Sequence, residues 1–87
     1  MYITTTKQLK ESLRSGAHAW PGGYPLYFIT SDGASLSFDS VRENLRSVIW
    51  SIRHKVNDGW QVVAVDVNWE DHSLFCDHSS EPIESAY

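Results

Sequence analysis

The chain has 87 residues, 41% of them apolar and 13% aromatic, which is enough for one domain with one modest core and too hydrophobic for a disordered tail. A single cysteine excludes an internal disulfide, and no apolar run approaches the roughly 18 residues that a membrane span needs. The net charge of −4 is unevenly spread. All seven Lys and Arg lie between Lys7 and Lys55, whereas Val56 to Tyr87 carries seven carboxylates and no base, a distribution that repels phosphate backbones and attracts basic partners.

In chain order, Thr4-Thr5-Thr6 supplies hydroxyl caps for a short helix over Lys7–Arg14, with Gly16 as its stop. Its apolar stripe is thin, Leu9 and Leu13 aided by Tyr2 or Ile3. Trp20 to Pro25 is a rigid, turn-rich segment of prolines and paired glycines. Tyr24–Thr30 is rich in aromatic and branched residues, and Ser31-Asp32-Gly33-Ala34 turns it back into Ser35–Phe38, so these residues predict a β-hairpin. Asp39 or Ser40 then caps a long second helix with a buried stripe of Val41, Leu45, Val48, Ile49, Ile52 and Val56, ended by Asp58-Gly59.

From Trp60 to Asn68 the pattern alternates. Val63, Val65, Val67 and Trp69 share a face expected to meet the second helix, while Trp60, Val62, Ala64, Asp66 and Asn68 share a partly covered one. An acidic turn at Glu70-Asp71-His72 leads to Ser73–Cys76, which can pair back as a last strand. The expected architecture is α+β: a short helix, a hairpin, a long amphipathic helix and a second hairpin, with a mainly antiparallel sheet packed on the helix, in one domain over 1–87.

Two cassettes, Ser37-Phe38-Asp39-Ser40 and Cys76-Asp77-His78-Ser79, have the spacing of a four-thiolate zinc site, but only Cys76 of the four ligand positions is a cysteine. Two hairpins, each ending near one cassette, would bring the cassettes together at one edge. Serine hydroxyls stay neutral near pH 7 and hold zinc poorly, so Ser37, Ser40, Cys76 and Ser79 read as a degenerate metal clip, and no metal or other cofactor is expected. A structural zinc contributes about 10–16 kcal/mol of apparent binding free energy. Without it the core or a partner must hold the domain.

Other constellations carry chemistry less well. His72, Cys76, His78 and Asp39 are competent ligand types for a makeshift metal site. Cys76 and His78 could pair as nucleophile and base, but no third group is evident to orient the imidazole. Asp66, Glu70 and Asp71 could serve acid/base work, yet no phosphate loop, nucleophile elbow or paired-histidine helix accompanies them. Enzymatic function is therefore not expected.

Gly59-Trp60, Val65-Asp66-Val67-Asn68-Trp69-Glu70-Asp71, Cys76-Asp77-His78-Ser79 and the tail Ile83-Glu84-Ser85-Ala86-Tyr87 together resemble a group of small phage and prophage proteins of unknown function, as does Trp20-Pro21-Gly22-Gly23-Tyr24-Pro25-Leu26-Tyr27. In that group, cysteine pairs stand where Ser37, Ser40 and Ser79 stand here. The resemblance implies a mobile-element origin and no known activity.

Aromatics ringed by carboxylates are the composition of an interface hot spot aimed at a basic protein. The expected function is a phage-encoded stoichiometric inhibitor of a host protein, a defence component such as a CRISPR effector with basic grooves, acting in the host cytoplasm and not at a membrane. Trp20, Tyr24, Asp66, Trp69, Glu70, Asp71, Glu81 and Glu84 form the expected partner-binding set, with a homodimer through a sheet edge as an added option. The alternative is a zinc-ribbon-like nucleic-acid-binding or regulatory module that has lost its metal. Its contact element would be the second helix, with Arg42, Arg46, Arg53, His54 and Lys55 on the polar side and Glu43 interrupting them. The acidic last third argues against nucleic acid.

Overall fold

The structure is a computed structural model that describes residues 1–19 and 22–87. The expected anchor at Trp20 and the proline at position 21 lie outside the described residues. Helix α1 (Thr6–Ser15) starts one residue earlier than its periodicity indicates because Thr5 is its cap. The Thr5 hydroxyl accepts the Gln8 N–H at 3.2 Å, and the Gln8 side-chain Oε1 accepts the Thr5 N–H at 3.2 Å, a reciprocal box whose loss costs about 1 kcal/mol. Gly16, at φ 94°, ends the helix in a conformation that a side chain would strain.

Strand β1 (His18–Ala19) pairs antiparallel with Tyr24 and Pro25 of β2 (Tyr24–Thr30). Its two residues carry no strand signal of their own, so only the pairing makes them a strand. After the turn at Gly33, β3 (Ser35–Leu36) pairs with Phe28 and Ile29. The hairpin ends at Leu36 and not at Phe38, because Ser37 leaves the ladder to cap the next helix: its hydroxyl accepts the Ser40 N–H at 3.1 Å. The cap is thus Ser37, neither Asp39 nor Ser40.

The long second helix is two helices, α2 (Phe38–Glu43) and α3 (Leu45–His54), joined at Asn44, whose backbone leaves helical values (φ −115°, ψ 31°). The Asn44 side-chain amide donates at 2.9 Å to the same Ser40 carbonyl that accepts the Asn44 N–H at 3.1 Å. Most of the expected stripe survives the break: Val41, Val48 and Ile52 are buried, with Leu45 and Ile49 packed beside them, whereas Val56 lies beyond the end of α3. Lys55, in the left-handed region at φ 54°, ends α3 before Asp58-Gly59 is reached.

Strand β4 (Val62–Val67) runs antiparallel to β2, from Leu26 opposite Val67 to Thr30 opposite Val62. Ile29 faces Ala64, so Val63 is an extra residue, a bulge that shifts the alternation. Val62 and Val65 therefore face the core, Val63 does not take the inner place its parity indicates, and Trp69 is exposed. The outer edge of β4 is paired by the N-terminal segment, where the Ile3 N–H meets the Val63 carbonyl at 2.8 Å. β2 is thus the central strand of a four-stranded antiparallel sheet.

Residues 73–76 do not return onto β4. They form a minimal second hairpin with the tail: Phe75 bridges Pro82, the Ile83 N–H reaches the Leu74 carbonyl at 2.9 Å, and the Cys76 N–H reaches that of Glu81 at 2.8 Å. The Asp77 N–H bonds Ser35, and those of Ala86 and Tyr87 bond Asn68 and Trp69, so the hairpin bridges the ends of β3 and β4. The fold is α+β, as expected. Its three helices pack on the sheet face that presents Phe28, Leu36, Val62 and Val65, with the Phe28 ring stacked 4.3 Å from that of Phe38. Among the described residues, no helix is long and apolar enough to cross a membrane.

Candidate functional site

The β2–β4 register carries Tyr24 opposite Trp69 at the sheet end. The two rings tilt together at 4.8 Å, and Trp69 keeps 49% of its surface exposed. Tyr27 lies opposite Asp66. Its hydroxyl pKa is raised by burial first and then by the charges of Asp66 and Asp71. The Asp71 carboxylate accepts from the Ser73 hydroxyl at 2.7 Å and the Ser73 N–H at 3.0 Å, and these bonds hold its pKa below the ordinary carboxylate value.

One buried amide connects this acidic turn to the tail. Asn68 donates to the carbonyls of Asp71 (3.1 Å), Ile83 (3.3 Å) and Glu84 (3.1 Å) and accepts the Asp71 N–H at 3.2 Å. Sequence reasoning put Asn68 on the partly covered polar face. It is 3% exposed because the tail folds over it. The Glu84 carboxylate, 2.9 Å from His18 Nε2, shares with Glu81 and Asp39 a groove of about 190 Å³ over Leu26, Phe38 and Ile83. Of the expected partner-binding set, Tyr24 and Trp69 pack together, Asp66 lies opposite Tyr27, Glu70 and Asp71 continue the chain from Trp69 into the turn, the Glu84 carbonyl is tied to that turn through Asn68, and Glu81 belongs to the neighbouring groove.

The two cassettes meet around Cys76, which is fully buried. Its Sγ accepts the Ser37 N–H at 3.3 Å and lies 3.2 Å from the Ser40 hydroxyl. Burial pushes the thiol pKa up, but the hydroxyls of Ser40 and Ser79 and the backbone N–H groups of Ser79 and Ser37 stabilise the thiolate more, lowering it from 9.0 to about 6. One thiolate and three neutral hydroxyls do not fit zinc, which closes its tetrahedron with thiolate, imidazole or carboxylate. The arrangement suits a thiolate held by hydrogen-bond donors.

The makeshift ligand set of His72, Cys76, His78 and Asp39 does not assemble. His72 lies 3.2 Å from the Ser85 hydroxyl, and His78 is 3.3 Å from the Asn44 amide with its ring against Trp60. Asp39 is exposed, 3.7 Å from Arg42. Among the described residues, no three His, Cys, Asp or Glu gather as a metal site. The same geometry removes the Cys76–His78 nucleophile and base, since every partner of the sulfur is a serine.

A residue that sequence reasoning did not place in its binding set is Trp50, 51% exposed on α3 and stacked on His54 at 4.3 Å. The signal was present: with Val48 and Ile52 inward, helical geometry turns position 50 outward. No protein-family description, curated protein or solved structure matches this chain.

Proposed function

We propose that this chain is a non-catalytic binding protein that occludes a basic surface of another protein, and that it serves as a phage-encoded stoichiometric inhibitor of a host-defence component of anti-CRISPR type. The observation that carries the reading is the half-exposed Trp69, packed on Tyr24 and followed directly in the chain by Glu70 and Asp71. An exposed aromatic pair at the start of an acidic turn combines the two elements of such an interface: carboxylates speed encounter with a cationic surface, and the buried indole slows dissociation. Tyr24 fixes the indole before contact, which lowers the ordering cost of binding.

The test compares the parent with Trp69→Ala and with Glu70→Lys/Asp71→Lys as bait in bacterial lysate, followed by binding kinetics on the purified captured protein. A nucleic-acid-handling protein should be captured by the parent and lost with Trp69→Ala. The double charge reversal should slow association and flatten its dependence on salt. Equal capture by all three baits, or unchanged affinity after charge reversal, refutes the reading.

A further inference from the structure

We propose that the outer face of α3 binds single-stranded nucleic acid through Trp50, with Arg46 and Arg53 meeting the phosphates. The helix buries Val48, Ser51 and Ile52, so the steps i, i+4 and i+7 that start at Arg46 place Arg46, Trp50 and Arg53 on one exposed stripe. Arg46 and Arg53 lie about 10 Å apart along the helix axis, with Trp50 between them in the stripe. Leu45–His54 contains no carboxylate, and Lys55 adds a further cation at its end. The acidic residues that set the net charge of the chain lie outside this helix.

The face is shaped as well as charged. Trp50, Trp60, Arg46 and Ser47 border a shallow groove of about 250 Å³ whose fifth member is Asp58. Both carboxylate oxygens of Asp58 accept from the Ser51 hydroxyl at 2.8 Å, and one also accepts the Trp60 N–H at 3.0 Å, so this carboxylate is bound to the protein's own donors. The Trp50 ring lies nearly parallel to that of His54, 23° apart, with the His54 Nδ1 2.8 Å from the Trp50 carbonyl. A braced, half-exposed ring between two arginines of the stripe offers a stacking plane and phosphate contacts at once, which is how proteins hold single strands with few cations. An acidic peptide would use the cations but gain nothing from the plane. A duplex would require more phosphate contacts than three cations supply.

The experiment titrates the full chain with a short fluorescent oligothymidylate at low salt, following anisotropy and tryptophan quenching, with an oligoglutamate peptide as the alternative ligand. Trp50→Ala should weaken binding roughly 5- to 150-fold, the range that loss of one stacked base produces. Replacing both Arg46 and Arg53 by Gln should lower the slope of log affinity against log salt by about 1.4. Trp69→Ala should leave both quantities unchanged, which separates this face from the protein-binding one. All substituted positions are exposed, and far-ultraviolet circular dichroism verifies the fold. Absence of oligothymidylate binding by the parent, an equal effect of Trp69→Ala and Trp50→Ala, or binding of oligoglutamate alone overturns the proposal.

Discussion

Replacing Asn68 by Ala tests whether one buried amide holds the last fifth of the chain, and with it the acidic end of the candidate site. Asn68 accepts one backbone N–H and shares its two amide hydrogens among three carbonyls, those of Asp71, Ile83 and Glu84. Because two hydrogens serve three acceptors, the amide contributes about three effective hydrogen bonds. At about 1 kcal/mol net each, the loss is about 3 kcal/mol, reduced towards about 2 kcal/mol if the freed carbonyls regain water as the tail lifts. For a domain of this size, 1 kcal/mol shifts the midpoint by roughly 4–8 °C, so Asn68→Ala should lower Tm by about 10–20 °C. Asn68→Asp should cost more, because it sets a carboxylate against three carbonyl oxygens. The assay is thermal unfolding followed by near-ultraviolet circular dichroism, combined with amide hydrogen exchange, in which residues 83–87 should lose protection well before β2 and β4 do. A midpoint within about 3 °C of the parent and unchanged exchange in the tail would refute the argument and assign the tail to its own backbone bonds and to buried Ile83.

Two further predictions concern the Cys76 nest. Between pH 6 and 9 the native thiol has released a proton that the unfolded chain still holds, so urea-unfolding stability should rise with pH across that window, and Cys76→Ser should remove the increment; a parent curve that is flat or falls relative to the variant contradicts the donor arrangement. The triple substitution S37C/S40C/S79C should bind one zinc per chain and raise Tm only when metal is present, despite a loss of about 1 kcal/mol from the Ser37 cap; dialysed protein that retains no zinc would show that the cassettes do not converge on one centre.

The features legible in the sequence were those that a few neighbouring residues decide. The Thr and Gly around α1, the Asp32-Gly33 turn, the Val41–Ile52 stripe and the acidic last third all appear in the structure close to where pattern and propensity put them, because capping, positive φ and helical periodicity act over a few residues. The meeting of the two cassettes was also readable, since each lies next to a hairpin end. The acidic turn could be named from the sequence, while its attachment to the tail through Asn68 could not.

Tertiary structure decided what depends on distant partners. Val63 became the bulge because Ile29 and Thr30 pair across it, and that one extra residue exchanged Val62 for Val63 in the core. Ser37 is a cap because the chain leaves the β3 ladder after Leu36 and turns into α2, while the Ser35 carbonyl accepts the Asp77 N–H. Asn68 became a buried hub only when residues 83 and 84 crossed it. Composition and local pattern therefore determined which elements form and where charge collects. Pairing register and tail docking, each a sum of weak bonds between residues far apart in the chain, determined which side of each element is buried and which aromatic rings remain exposed.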